Sequence, residues 1–150
     1  MSRDCPMNLR WLLPIVCCVA CGSPDPIQDI SRDIESQLNR SQTEAISLQA
    51  VGPADWESVC VLEPYTNNQR AEEILGFEWD AESETEIYSR DGINVLVFVR
   101  GDDVVAFTDH PRDKGDFVGI EPKCFSRQQA VFTRQVDPNG WVYLRFENGS

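Results

Sequence analysis

The 150-residue sequence predicts an α+β domain: a mainly antiparallel sheet of four or five strands, one or two packed helices and one disulfide. Three observations point there. Apolar residues fill both parities of residues 93–99, the pattern of a strand covered on both faces. Two further apolar runs, 130–136 and 141–146, flank Asp137-Pro138-Asn139-Gly140, which is turn chemistry. Helical periodicity is confined to the first half of the chain, so helices and strands segregate instead of alternating.

Taken in order, residues 21–26 read Cys-Gly-Ser-Pro-Asp-Pro, a short tether that two prolines keep from being helical. Ile27, Ile30, Ile34 and Leu38 then recur at spacings of three and four among charged residues, one apolar stripe on a helix. Pro26 suits its first turn, and the pattern runs to about Arg40. Residues 41–50 fit neither period, and Val51-Gly52-Pro53 marks a boundary. The predicted division is therefore 1–20, 21–50 and a globular part over 51–150. That part starts near Trp56, and residues 59–62 read as a buried strand.

Thr66-Asn67-Asn68-Gln69 reads as a capping box with Thr66 as the cap. Ala71, Ile74 and Leu75 face inward on the short helix that follows, and Gly76 suits its left-handed end. Asp91-Gly92 is a turn into the strongest strand, with Ile93, Val95, Val97 and Val99 on one face and Leu96 and Phe98 on the other. Gly101-Asp102 permits a hairpin into 104–107, and the Pro-, Gly- and charge-rich residues 110–123 read as loop. In the last hairpin Val142, Leu144 and Phe146 would face inward.

The N-terminus has its own logic. Arg3 and Arg10 precede ten mostly apolar residues, 11–20, the n-region and h-region of a secretory signal peptide. The run is too short for a bilayer, which needs about 20 residues of helix. Removal of residues 1–20 would take Cys5, Cys17 and Cys18 with it. The string Cys18-Val19-Ala20-Cys21-Gly22-Ser23 resembles the bacterial lipobox. The resemblance implies lipid on the sulfur of Cys21, which becomes the mature N-terminus and holds the protein to a membrane. Gly22 after that cysteine is compatible with an outer-membrane lipoprotein facing the periplasm. With Cys21 lipidated, Cys60 and Cys124 remain, and an oxidising compartment predicts a disulfide between them. It would close a loop of about 65 residues and stabilise by about 4 kcal/mol on the chain-entropy model. One histidine and two distant cysteines make a poor zinc site, so no metal and no cofactor are expected.

Residues 56–65, Leu75-Gly76, residues 91–99, His110-Pro111-Arg112, Asp116-Phe117 and Cys124-Phe125 resemble small uncharacterised proteobacterial lipoproteins. A short helix ending in Leu-Gly before a sheet is also similar to envelope assembly lipoproteins of the β-barrel machinery, although here a strand precedes it.

Twenty-five acidic residues against 13 basic leave a net charge of −12, which excludes nucleic acid as a partner and leaves a cation or a basic protein. Glu78, Asp80, Glu82, Glu84 and Glu86 alternate strictly, so an extended segment would place all five on one side. They are a candidate strip for a cation or a basic partner, or a guard against edge-to-edge strand pairing. His110, beside Asp109, is the only histidine, but no nucleophile motif accompanies it, and no catalytic residue is assigned. Arg100-Gly101-Asp102 reads as a tight turn, and Pro64-Tyr65, Trp79 and Trp141 are candidates for a surface groove. Charge and resemblance together imply a membrane-anchored envelope lipoprotein acting as a non-catalytic binding or assembly module, bound to the membrane through Cys21 and to a basic or envelope protein. The alternative is an acidic periplasmic inhibitor of a basic envelope-damaging enzyme, similar to lipoprotein lysozyme inhibitors.

Overall fold

A computed structural model describes residues 26–40 and 44–148. The signal segment and Cys21 lie outside the described residues. The chain runs α1 (Pro26–Leu38), β1 (Ala45–Ser47), β2 (Ser58–Leu62), α2 (Asn68–Leu75), α3 (Ala81–Glu84), β3 (Ile93–Arg100), β4 (Asp103–Pro111), β5 (Cys124–Ser126), β6 (Val131–Val136) and β7 (Val142–Arg145). Short 3-10 turns cover Arg112–Lys114 and Arg127–Gln129. Among the described residues seven antiparallel strands form two sheets, a four-stranded one in the order β4-β3-β2-β5 and a three-stranded one in the order β1-β6-β7. The α+β class and the antiparallel pairing hold, and the strands divide between two sheets.

β3 is interior to the larger sheet, and its two parities serve two cores. Leu96 and Phe98 join Val59, Val61 and Phe125 in a core shared with Ile46, Phe132 and Leu144 of the smaller sheet. Val95, Val97 and Val99 pack on the other face with Ala71 of α2, Ala81 of α3 and Ile87. Burying both faces is what allows β3 to be apolar at nearly every position.

Helix α1 belongs to the first core. Ile30 and Ile34 are buried in it, and Leu38 packs against it half-buried. Gln37 clamps the helix to β1: its Nε2 donates to the Ser47 carbonyl at 2.9 Å and its Oε1 accepts from Ser47 N–H at 2.8 Å. Among the described residues α1 and β1 therefore share a core with elements beyond residue 51, the expected boundary. The helical stripe found its apolar surface within this chain, and the unassigned residues 45–47 are an edge strand.

Further corrections are local. The cap of α2 is Asn67, whose side chain accepts from Arg70 N–H at 2.8 Å, while Thr66 Oγ1 donates to the Glu63 carbonyl. Gly76 ends the helix at φ +84° as expected. β4 continues past Phe107 to Pro111, so the histidine stands on a strand and not at the start of the expected loop, and β5 follows that loop directly. Cys60 and Cys124 stand opposite each other in the β2–β5 register, their Cα atoms 4.0 Å apart, and are disulfide-bonded.

Candidate functional site

Three features bring chemistry-bearing side chains together. The first is a polar seam beneath α1. Asn94, Thr108 and His110 are buried on the face of β3–β4 that α1 covers, and Asn94 and His110 are register partners. The Gly115 carbonyl lies 3.1 Å from His110 Nε2 and only accepts, so Nε2 carries the proton. Nδ1 is then the acceptor, 2.8 Å from Ser31 Oγ on α1. Burial holds the imidazole pKa down at about 4, against the carbonyl contacts that raise it. Asp109, the neighbouring carboxylate, does not orient the ring, because adjacent strand residues face opposite ways. Serine, histidine and carbonyl have the connectivity of a nucleophile, a base and its orienting group. The ring is fully buried, however, and Ser31 sits inside α1, where backbone N–H groups are committed to helical bonds. The contact fastens the helix to β4.

The second feature is a clasp at Asp116, which is fully buried. Arg112 Nε donates to both of its oxygens at 3.1 Å, Arg112 Nη2 adds a bond of 2.9 Å, and Val118 N–H and Trp141 Nε1 donate at 2.9 and 2.8 Å. Burial raises the Asp116 pKa, but these donors, Arg112 first, outweigh it and hold the carboxyl below its ordinary value. The residue's backbone also bridges β7, accepting from Leu144 N–H at 2.8 Å. Every polar atom of the carboxylate is engaged within the fold, so the clasp ties β4, the following turn and the smaller sheet together.

The third feature is a groove of about 550 Å³ along the outer edge of β4. Ser31, Arg32 and Glu35 of α1 form one wall, Glu84 of α3 contributes to the other, and Phe107, Thr108 and Asp109 line the floor. Consecutive residues of both parities can line a groove only along a strand edge. Asp109 is half-buried, and that burial, with Glu86 nearby, raises its carboxyl pKa although Glu86 N–H reaches it at 3.5 Å.

The five alternating carboxylates do not form one strip, because Ala81–Glu84 is a helical turn. Asp80 caps it, accepting from Ser83 N–H and from Asn68 Nδ2, and the Asn68 bond leads in lowering its pKa. Glu82 accepts from Asn68 N–H at 2.9 Å, and Glu86 pairs with Arg90. Glu78 borders a second depression beside Trp79 and Glu72, whereas Glu84 reaches the β4 groove. The aromatic candidates separate as well: Trp79 packs on Phe107 at 5.2 Å, Trp141 bonds Asp116, and Tyr65 is exposed at φ +66°. Gly101 sits in the β3–β4 turn at φ +58°, and Arg100 pairs with Asp55. Among the described residues no group of His, Cys, Asp or Glu is arranged to hold a metal ion, and no helix is long and apolar enough to cross a membrane.

Compared with known protein families, curated proteins and solved structures, the chain matches none.

Proposed function

We propose that this protein is a lipid-anchored component of a bacterial cell envelope that works by binding at the membrane face rather than by catalysis. One observation carries the reading: the lipobox-like string ending in Cys21 stands five residues before α1, a helix docked on its own domain. Five extended residues span at most about 18 Å, so lipid on Cys21 would keep the body close against its bilayer. Each acyl methylene buried adds about 0.8 kcal/mol, and more than one chain makes the attachment lasting. Confinement raises the effective concentration of the body toward partners on the same membrane. The binding reading draws support from His110, whose ring is buried and engaged in holding α1. Gly22 is compatible with the outer membrane, with the body in the periplasm, and the charge favours a basic or envelope protein partner over nucleic acid.

Replacing the anchor residue tests this. Cys21→Ser should move the protein expressed in a bacterial host from the detergent phase to the aqueous phase. Persistence in the membrane fraction would refute the lipid anchor.

The acidic knob of α2 and α3 favours a second reading, inhibition of a basic envelope-damaging enzyme such as a lysozyme. Asn68 locks the knob, with its side-chain oxygen accepting from Glu82 N–H at 3.0 Å while Asp80 and Glu82 accept from Asn68. An inhibitor steered by such charge should associate more slowly as salt rises. An association rate insensitive to ionic strength would remove this reading.

A further inference from the structure

We infer that the open edge of β4 is a docking site for an extended basic peptide segment, which pairs its backbone with Phe107 and Asp109 and sets a cationic side chain between Asp109 and Glu84. The inference deepens the binding reading and rests on it.

The backbone carries the first part. Among the described residues β4 is an edge strand. Arg112 N–H donates inward to the Gly92 carbonyl, and in an antiparallel ladder every second residue points the same way. The polar backbone groups of His110 and Thr108 therefore turn toward β3, and those of Phe107 and Asp109 turn outward. Both ends of the edge are closed to pairing. Pro111 has no N–H, and the register shift between Phe98 and Val99 leaves Val105 as an extra residue in β4. What stays open is a window at Phe107 and Asp109, flanked by α1 and by Glu84. A strand bordered by side-chain walls is the arrangement in which an added strand gains backbone bonds from the edge and selectivity from the walls.

Charge names the occupant. Among the described residues neither Asp109 nor Glu84 makes a salt bridge. Arg90, which acts on Asp109 from a distance, is paired with Glu86, and Arg32 with Asp29. A half-buried carboxylate that burial has made harder to ionise gains from an incoming cation. Phe107 and Asp109 share a parity, so every second ligand side chain meets Asp109 and Glu84. The fitting ligand is cationic at alternate positions. A second copy fits poorly, because it would bring an identical acidic edge on a chain of net charge −12.

The test uses the full chain in detergent and an eight-residue labelled peptide of alternating Lys and Thr, followed by fluorescence anisotropy. The peptide should bind. Methylating its backbone nitrogens at every second residue, in the set that pairs with β4, should weaken binding about tenfold or more by removing donors to the edge. An alternating Glu and Thr peptide should not bind. The double variant Asp109→Asn with Glu84→Gln should weaken binding about tenfold at unchanged melting temperature. In the complex, the Phe107 and Asp109 amide protons should exchange with solvent much more slowly. Equal binding by the methylated peptide, protection centred on α2–α3 instead, or no binding of any peptide at millimolar concentration would overturn the inference. So would concentration-dependent protection of Phe107 and Asp109 without peptide, which would assign the edge to a second copy. Each of these results is independent of whether Cys21→Ser leaves the membrane.

Discussion

His110 shows how far setting can override residue type. An exposed histidine titrates near 6.5, but this ring is held to about 4 by burial. Between those two values the unfolded chain binds more protons than the folded one, so stability is full above about pH 7 and falls as pH drops toward 4. At 1.36 kcal/mol per pKa unit the loss by pH 5 is about 2 kcal/mol. Urea unfolding at pH 7.5 and pH 5 measures it directly, and His110→Gln, although less stable, should show a flatter dependence. Asp116 has the opposite sign. Its depressed pKa gives a contribution present above about pH 4 and lost only as pH falls through the folded value. Asp116→Ala removes the acceptor of Arg112 Nε and Nη2 and of Trp141 Nε1 and should cost about 3 to 5 kcal/mol by thermal or urea melting. Neither role was legible locally. The two partners of His110 lie 79 and 5 residues away, and Trp141 lies 25 from Asp116. Only the fold brings them together.

At the scale of elements, legibility followed length and periodicity. α1 and β3 carry repeating apolar positions over 13 and 8 residues, and both were readable. β1 and β5 have three residues each, too few to show any period, so the division into two sheets was hidden. β4 ended too early in the reading because Thr108, Asp109 and His110 are polar. Their acceptance in a strand depends on α1 and on the backbone at Gly115 and Glu86. The alternating acids misled for the complementary reason: a period of two looks extended, but the Asp80 cap starts a helical turn within it. Because α1 is part of the core, Ile34→Ala should destabilise by about 2 to 5 kcal/mol, measured by denaturant unfolding. A helix that served only as a tether would lose almost nothing. Gly115 should resist change too. It sits at φ +119°, and a Cβ there would come within 2.9 Å of both Leu144 Cδ1 and Leu38 Cδ1, so Gly115→Ala should lower the melting temperature.

At the scale of the whole molecule, the described residues form two sheets, three helices and one disulfide around two cores that share β2 and β3. The bond between Cys60 and Cys124 joins positions 64 apart, and its reduction should destabilise by about 4 kcal/mol on the chain-entropy model, read as a drop in melting temperature. The chain carries a net charge of −12, and among the described residues the edge of β4 lies beside Asp109 and Glu84, neither of which makes a salt bridge. These features suit the proposed role, a body that meets a basic partner at a membrane face. That role depends on attachment at Cys21, so the most direct measurement is the intact mass and N-terminal peptide of the protein purified from a bacterial envelope. The predicted result is a chain starting at Cys21 with acyl groups on that residue. A chain that retains residues 1–20, or that starts at Cys21 without lipid, would contradict it.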